Sequence, residues 1–176
     1  LQDKDPFDYA KVERKIPASK ELKVSFDLKA GQNNKGTLQI EFLDENGIAC
    51  SRIELTDDGI FRLKGGSRFA NMMKYEAGKV YHVEAVLSTV DRNIQVYVDG
   101  KRVGLRMFYA PVAAVERIVF RTGVPRTFPT VDTPADQTYD LPNAGAQDPL
   151  AEYGIANVKT SSTDKDASSA FLKYAD

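Results

Sequence analysis

Residues 79–100, KVYHVEAVLSTVDRNIQVYVDG, restrict the fold more than any other stretch. Two apolar runs, 80–87 and 93–98, flank the polar turn Val90-Asp91-Arg92, and Asp99-Gly100 closes the second run with a turn dipeptide. Along that second run Ile94, Val96 and Val98 share one side, while Gln95 and Tyr97 take the other. The pattern predicts a β-hairpin in an antiparallel sheet with one face on a core.

The same period of two recurs on both sides. Leu22, Val24, Phe26 and Leu28 alternate with polar residues over 21–30, and Leu38, Ile40 and Phe42 do so over 37–43. Further strands are expected at 9–16, stopped by Pro17, and at 48–55, 60–64, 101–108 and 116–122. The segment 68–74 reads as strand or loop. The connections carry turn chemistry: GQNNKG, Asp44-Glu45-Asn46-Gly47, Thr56-Asp57-Asp58-Gly59 and Gly65-Gly66-Ser67. Strands at such spacing mark an all-β sandwich or barrel, and the expectation is an antiparallel two-sheet sandwich of about 11–13 strands. The core is expected to hold Val24, Phe26, Leu38, Ile40, Phe42, Ile53, Val83, Ile94, Val96, Ile118 and Phe120. Two short helical pieces are expected, a turn at 110–115 and a helix at 167–174. Residues 1–8 read as a polar lead-in.

The pattern breaks at 123–150, where Pro125, Pro129, Pro134, Pro142 and Pro149 punctuate a long connection. Loops of this length in compact domains are uncommon and often functional. Phe128, Tyr139 and Leu141 are apolar anchors, so the loop is expected to be ordered, to lie across one sheet or its edge, and to deliver a return strand at 152–160. Residues 1–176 are thus read as one domain.

Composition excludes some functions. A net charge of −1 over 176 residues gives no basic surplus for nucleic acid. No apolar run approaches the roughly 20 residues of a membrane span. The chain opens at Leu1, which reads as a processed or trimmed start with any signal peptide lying outside it. Cys50 is the sole cysteine, and without a neighbouring thiol or His it reads as a small buried hydrophobe rather than a reactive group.

The central hairpin resembles a recurring piece of the concanavalin A-like, laminin G-like jelly rolls. The residues that carry the likeness are Tyr81, Val83, Ala85 and Leu87, followed by Tyr97-Val98-Asp99-Gly100-Lys101. Many relatives have Trp where Tyr81 stands. The resemblance implies a jelly roll of the kind found in secreted, periplasmic or cell-surface carbohydrate-active proteins. Such domains commonly bind polysaccharide or oligosaccharide beside a catalytic domain. A non-catalytic carbohydrate-binding or accessory module of a larger exported glycan-degrading protein is therefore the leading expectation. The alternatives are a glycoside hydrolase or polysaccharide lyase of the same fold, and an adhesion or spacer domain without a sugar site.

Strand parity points Arg52, His82, Glu84, Tyr97, Arg117 and Arg121 away from the core, together with Gln39, Glu41, Arg62 and Gln95. An aromatic platform and guanidinium forks suit sugars, and Arg pairs bidentately with uronic or sialic carboxylates. The first six are the candidate ligand-binding residues; cross-strand salt bridges on a solvated face are the competing reading. His82 and Glu84 share a face at i and i+2, about 7 Å apart, a spacing compatible with acid–base work. The Glu-x-Asp-x-x-Glu run of laminarinase-like members is absent, so no catalytic residue is assigned. No cofactor is required. Calcium is the one candidate, because the family often binds it at a loop rim and Asp44, Asn46, Asp57, Asp58, Asp91 and Asp99 stand in turns. Zinc is disfavoured by a single His and a single Cys.

Overall fold

The computed structural model describes residues 1–126, 129–132 and 149–163. Twelve strands form in chain order: β1 Gln2–Asp3, β2 Lys11–Ser19, β3 Glu21–Ala30, β4 Leu38–Leu43, β5 Ala49–Leu55, β6 Ile60–Gly65, β7 Arg68–Lys74, β8 Val80–Ser88, β9 Asn93–Val98, β10 Lys101–Met107, β11 Val115–Thr122 and β12 Ala151–Ser162. They make two antiparallel six-stranded sheets, the first in the order β1-β12-β3-β8-β9-β10 and the second β2-β11-β4-β5-β6-β7. This is a jelly-roll β-sandwich, and no helix occurs among the described residues.

Alternation builds the core. Every residue of the expected core is buried, from Val24 and Phe26 on one sheet to Ile118 and Phe120 on the other. Phe26 of β3 meets Phe120 of β11 edge to face across the sandwich, with ring centroids 5.1 Å apart. Phe61 of β6 makes a similar T-shaped contact with Tyr81 of β8 at 5.7 Å. The Tyr81 hydroxyl accepts the Glu76 N–H at 2.9 Å. The β9–β10 turn is a two-residue loop, since Val98 pairs with Lys101. Asp99 and Gly100 both take positive φ, 49° and 78°, as a primed hairpin turn requires.

Three local expectations change and one open alternative is resolved. Pro17 does not stop β2 but lies within it. It is tolerated because β2 is an edge strand with β11 as its one ladder partner, and the register shifts opposite it, between Val115 and Arg117. The segment 68–74 is strand β7, the opposite edge of the second sheet. Residues 110–114 are irregular, without the expected helical turn. The lead-in contributes β1, where Gln2 and Asp3 pair with Glu152 and Ala151. The expected helix at 167–174 and the anchors Phe128, Tyr139 and Leu141 lie outside the described residues.

The return strand is β12. It inserts between β1 and β3, pairing Tyr153 with Ala30 and Ser162 with Leu22. The start of the preceding connection, from Gly123 to Arg126, lies against the outer face of the second sheet. Gln39 Nε2 donates to the Gly123 carbonyl at 3.2 Å, and Arg126 Nε donates to Glu41 at 3.1 Å.

Candidate functional site

The outer face of the second sheet carries charged residues in register rows. One row runs Arg121, Gln39, Glu54, Arg62 and Asn71 across β11, β4, β5, β6 and β7. The next runs Val119, Glu41, Arg52, Lys64 and Phe69. Parity alone would leave these side chains in water. Two irregular stretches cover them instead: the segment after β10, with Tyr109 and Ala110, and the described residues after β11, Pro125, Arg126, Pro129, Thr130 and Val131. Gln39 and Glu41 are consequently 0% exposed, Glu54 2% and Arg52 4%.

Burial on this scale requires pairing. Arg52 donates from Nε and Nη2 to Glu41 Oε1 at 3.0 and 2.6 Å. Arg126 Nε engages the other oxygen, Oε2, at 3.1 Å, and its Nη2 donates to the Gly47 carbonyl at 3.3 Å. In the neighbouring row Glu54 accepts from Gln39 at 3.0 Å and from Arg62 at 2.5 Å. Each carboxylate therefore has both oxygens occupied.

Between the two covering segments a cavity of about 520 Å³ opens over this network. Its floor is Arg52, Lys64, Phe69, Ile48 and Ala49; its walls are Tyr109 with Ala110, and Pro125 and Arg126 with Pro129, Thr130 and Val131. That volume lies within the roughly 300–1,000 Å³ of small-ligand sites. Lys64 Nζ stands 4.5 Å from the centroid of the Tyr109 ring and 5.7 Å from that of Phe69. Burial, and then the adjacent Arg52 charge, pull the Lys64 ammonium below its ordinary range. Burial pushes the Tyr109 phenol up, and its hydroxyl has no hydrogen-bond partner among the described residues.

Of the sequence candidates, Arg52 lines this cavity. Arg117 and Arg121 share its face but are engaged elsewhere. Arg117 donates to the Glu45 carbonyl and lies 3.7 Å from Glu13. Arg121 donates to the Val124 carbonyl at 2.6 Å and stacks over the Tyr9 ring at 4.1 Å. His82, Glu84 and Tyr97 stand on the outer face of the first sheet, across the core from the arginines. There His82 Nδ1 bonds Asp27 at 2.8 Å, Asn157 donates to the same carboxylate at 2.6 Å, Lys23 pairs with Glu84 at 2.7 Å, and Tyr97 donates to Gln95 at 3.0 Å. The Asn157 hydrogen bond, then that of His82, hold the Asp27 carboxyl below its usual value. The candidates therefore divide between two opposite faces and do not converge. His82 and Glu84 point at different partners, which leaves the acid–base reading without a shared site.

Lys64, Phe69, Tyr109 and Arg126 escaped the sequence reading. Lys64 had a usable signal, since it is the register partner of Arg52 and lies two residues beyond the outward Arg62. Tyr109 and Arg126 sit in irregular segments where parity says nothing. Turn carboxylates are occupied locally: Asp44 accepts the amides of Asn46 and Ile48, Asp58 accepts the Thr56 hydroxyl, and Asp99 accepts the His82 amide. Among the described residues no three His, Cys, Asp or Glu gather as a group that could hold a metal ion.

The family model for the sialidase-like CBM domain matches residues 1–137. The chain belongs to this family. The sialidase-like CBM domain is 84% identical to part of a solved sialidase, with a TM-score of 0.82; the match covers 99% of this chain and 17% of that one. The chain thus spans about a sixth of that sialidase's length. Sheep galectin-11, solved with glycerol, superposes with a TM-score of 0.52 at 13% identity, covering 88% of this chain and 98% of the galectin. A mutant Trypanosoma rangeli sialidase does so at 0.51 and 16% identity, covering 80% of this chain and 20% of its own. The last two show the jelly-roll fold alone. Among curated proteins none matches.

Proposed function

We propose that this sialidase-like CBM domain is the non-catalytic, glycan-binding module of a longer exported glycan-degrading protein, and that it holds sugar in the cavity over the second sheet. The observation that carries the reading is the built cavity on a domain of a carbohydrate-binding-module family. Aromatic walls stand beside cationic donors whose geometry is fixed by buried pairing, which is the composition sugar recognition needs. The share of the solved sialidase that the chain spans supports a catalytic domain elsewhere in the same polypeptide. An extracellular or surface location follows from that relationship. No helix among the described residues is long and apolar enough to cross a membrane.

A glycan array probed with the 176-residue chain tests this. Binding is expected, and Phe69→Ala, at the cavity floor on an edge strand, is expected to remove it while Tyr97→Ala leaves it intact. Circular dichroism of each variant checks that the sandwich persists. Absence of binding by the unaltered chain contradicts the module reading. Loss with Tyr97→Ala but not with Phe69→Ala moves the site to the first sheet.

A further inference from the structure

We infer that the cavity over the second sheet selects acidic saccharides, with the anionic group of the sugar beside Lys64 and the ring against Tyr109 and Phe69. This deepens the glycan-binding reading and rests on it.

The argument is a local charge count. Arg52, Lys64 and Arg126 line the cavity, and among the described residues no carboxylate does. Beneath them Glu41 is shared by Arg52 and Arg126, so among the described residues one negative charge sits against three positive ones. The neighbouring carboxylate, Glu54, is already matched by Arg62. Both oxygens of Glu41 and of Glu54 are taken, leaving none directed at Lys64. Among the described residues Lys64 has no salt bridge, and it rests between two aromatic rings. The surplus is local, for the whole chain carries −1.

Such a site favours an anion for two reasons. The covering segments exclude part of the water, so a charge brought to Lys64 is screened less than on an open face. The ammonium is already partly desolvated, and a counter-ion there relieves both burial and repulsion from Arg52. The buried Tyr109 hydroxyl, without a partner among the described residues, offers a donor and acceptor for a ring hydroxyl at the same wall. A neutral sugar satisfies the aromatic walls and the hydroxyl but leaves Lys64 unmatched.

Calorimetric titration with matched ligands tests the inference. Sialyllactose and digalacturonic acid are each compared with their carboxyl methyl esters, and sulfated lactose with lactose. At low salt the acidic member of at least one pair is expected to bind about ten- to a hundredfold tighter, the order of a charge-assisted hydrogen bond. The pair that responds identifies whether carboxylate or sulfate is the anion. Lys64→Met is expected to erase the difference, Lys64→Arg to keep it, and added salt to shrink it. Equal binding of acidic and neutral members overturns the inference and leaves the module reading standing. Preference retained in Lys64→Met also overturns it, since the discriminating charge then lies elsewhere. Binding of no saccharide at all removes both readings together.

Discussion

Glu41 shows what a covered sheet face does to a charged residue. Its side chain is fully buried between two guanidinium groups. Glu84, on the open face of the other sheet, pairs with a half-exposed Lys23. Both are strand glutamates bonded to a cation, yet their energetic weights differ. Glu41→Gln removes the charge that compensates Arg52 and Arg126, and is expected to destabilise the fold by about 3–5 kcal/mol, as for other broken buried pairs. Glu84→Gln is expected to cost about 0–1 kcal/mol, because water screens the pair. Denaturant titration of the two variants checks the contrast; near-equal costs would show that the cover admits water. At Lys64 the sign of the pH effect follows from its lowered affinity for protons in the free protein. A bound acidic sugar favours the ammonium, so affinity is full below the free-state pKa of Lys64 and falls as pH rises through it, within the range below the ordinary lysine value. The groups that bear on Lys64 are Arg52, Glu41 and Glu54, with Tyr109 and Phe69 against its ammonium. Titrating an acidic saccharide against the chain at rising pH measures the midpoint, which Lys64→Met should abolish.

Among the elements, β12 depends most on a distant backbone contact. It arrives after the long connection and must be seated between β1 and β3. Gly36 provides the seat. Its φ is +69°, and a Cβ there would stand 2.4 Å from the Ala151 Cβ and 3.3 Å from the Tyr153 hydroxyl. Gly66 also has positive φ, +56°, but nothing lies within 4 Å of its would-be Cβ. Gly66→Ala is expected to cost the backbone term alone, about 1–2 kcal/mol. Gly36→Ala adds displacement of the β12 start, for an expected total of about 2–4 kcal/mol. Hydrogen exchange separates the two: Gly36→Ala should speed exchange in β12 and its neighbour β1, with β4 and β5 unchanged relative to Gly66→Ala.

For the molecule as a whole, the two sheets share one core, tied by Phe26 on Phe120 and Phe61 on Tyr81. Cys50 lies in that core, is 0% exposed, and burial pushes its thiol up, far from thiolate formation. Its labelling by a thiol reagent therefore requires the sandwich to open. The free energy of opening from labelling rates is expected to match the unfolding free energy from denaturant, within the uncertainty of the extrapolation. Labelling far faster than that would mean that β5 opens without the rest.

The alternation of apolar and polar residues was enough to determine most of the strands, the β8–β9 hairpin and the inward residues, because a strand that misplaces its period by one exposes its whole apolar face. Phe26, Ile40, Val83 and Phe120 could be placed in the core from their neighbours alone. Outward residues were equally legible as outward. Whether outward means wet was not, since that depends on what is folded over them. Glu41 and Glu84 obey the same parity, yet one is sealed beneath Tyr109 and Arg126 and the other faces solvent. The sheet that each strand joins was also beyond the sequence, so His82 and Arg52, both outward, ended on opposite faces. Pro17 was misjudged for the same reason: a proline stops a central strand and is admitted at an edge, and edge position is a property of the sheet. The cavity belongs wholly to this second class. Its lining comes from β5, β6, β7 and two irregular segments more than ten residues apart in the chain, and only their packing against one sheet face brings a lysine, two arginines and two aromatic rings around one volume.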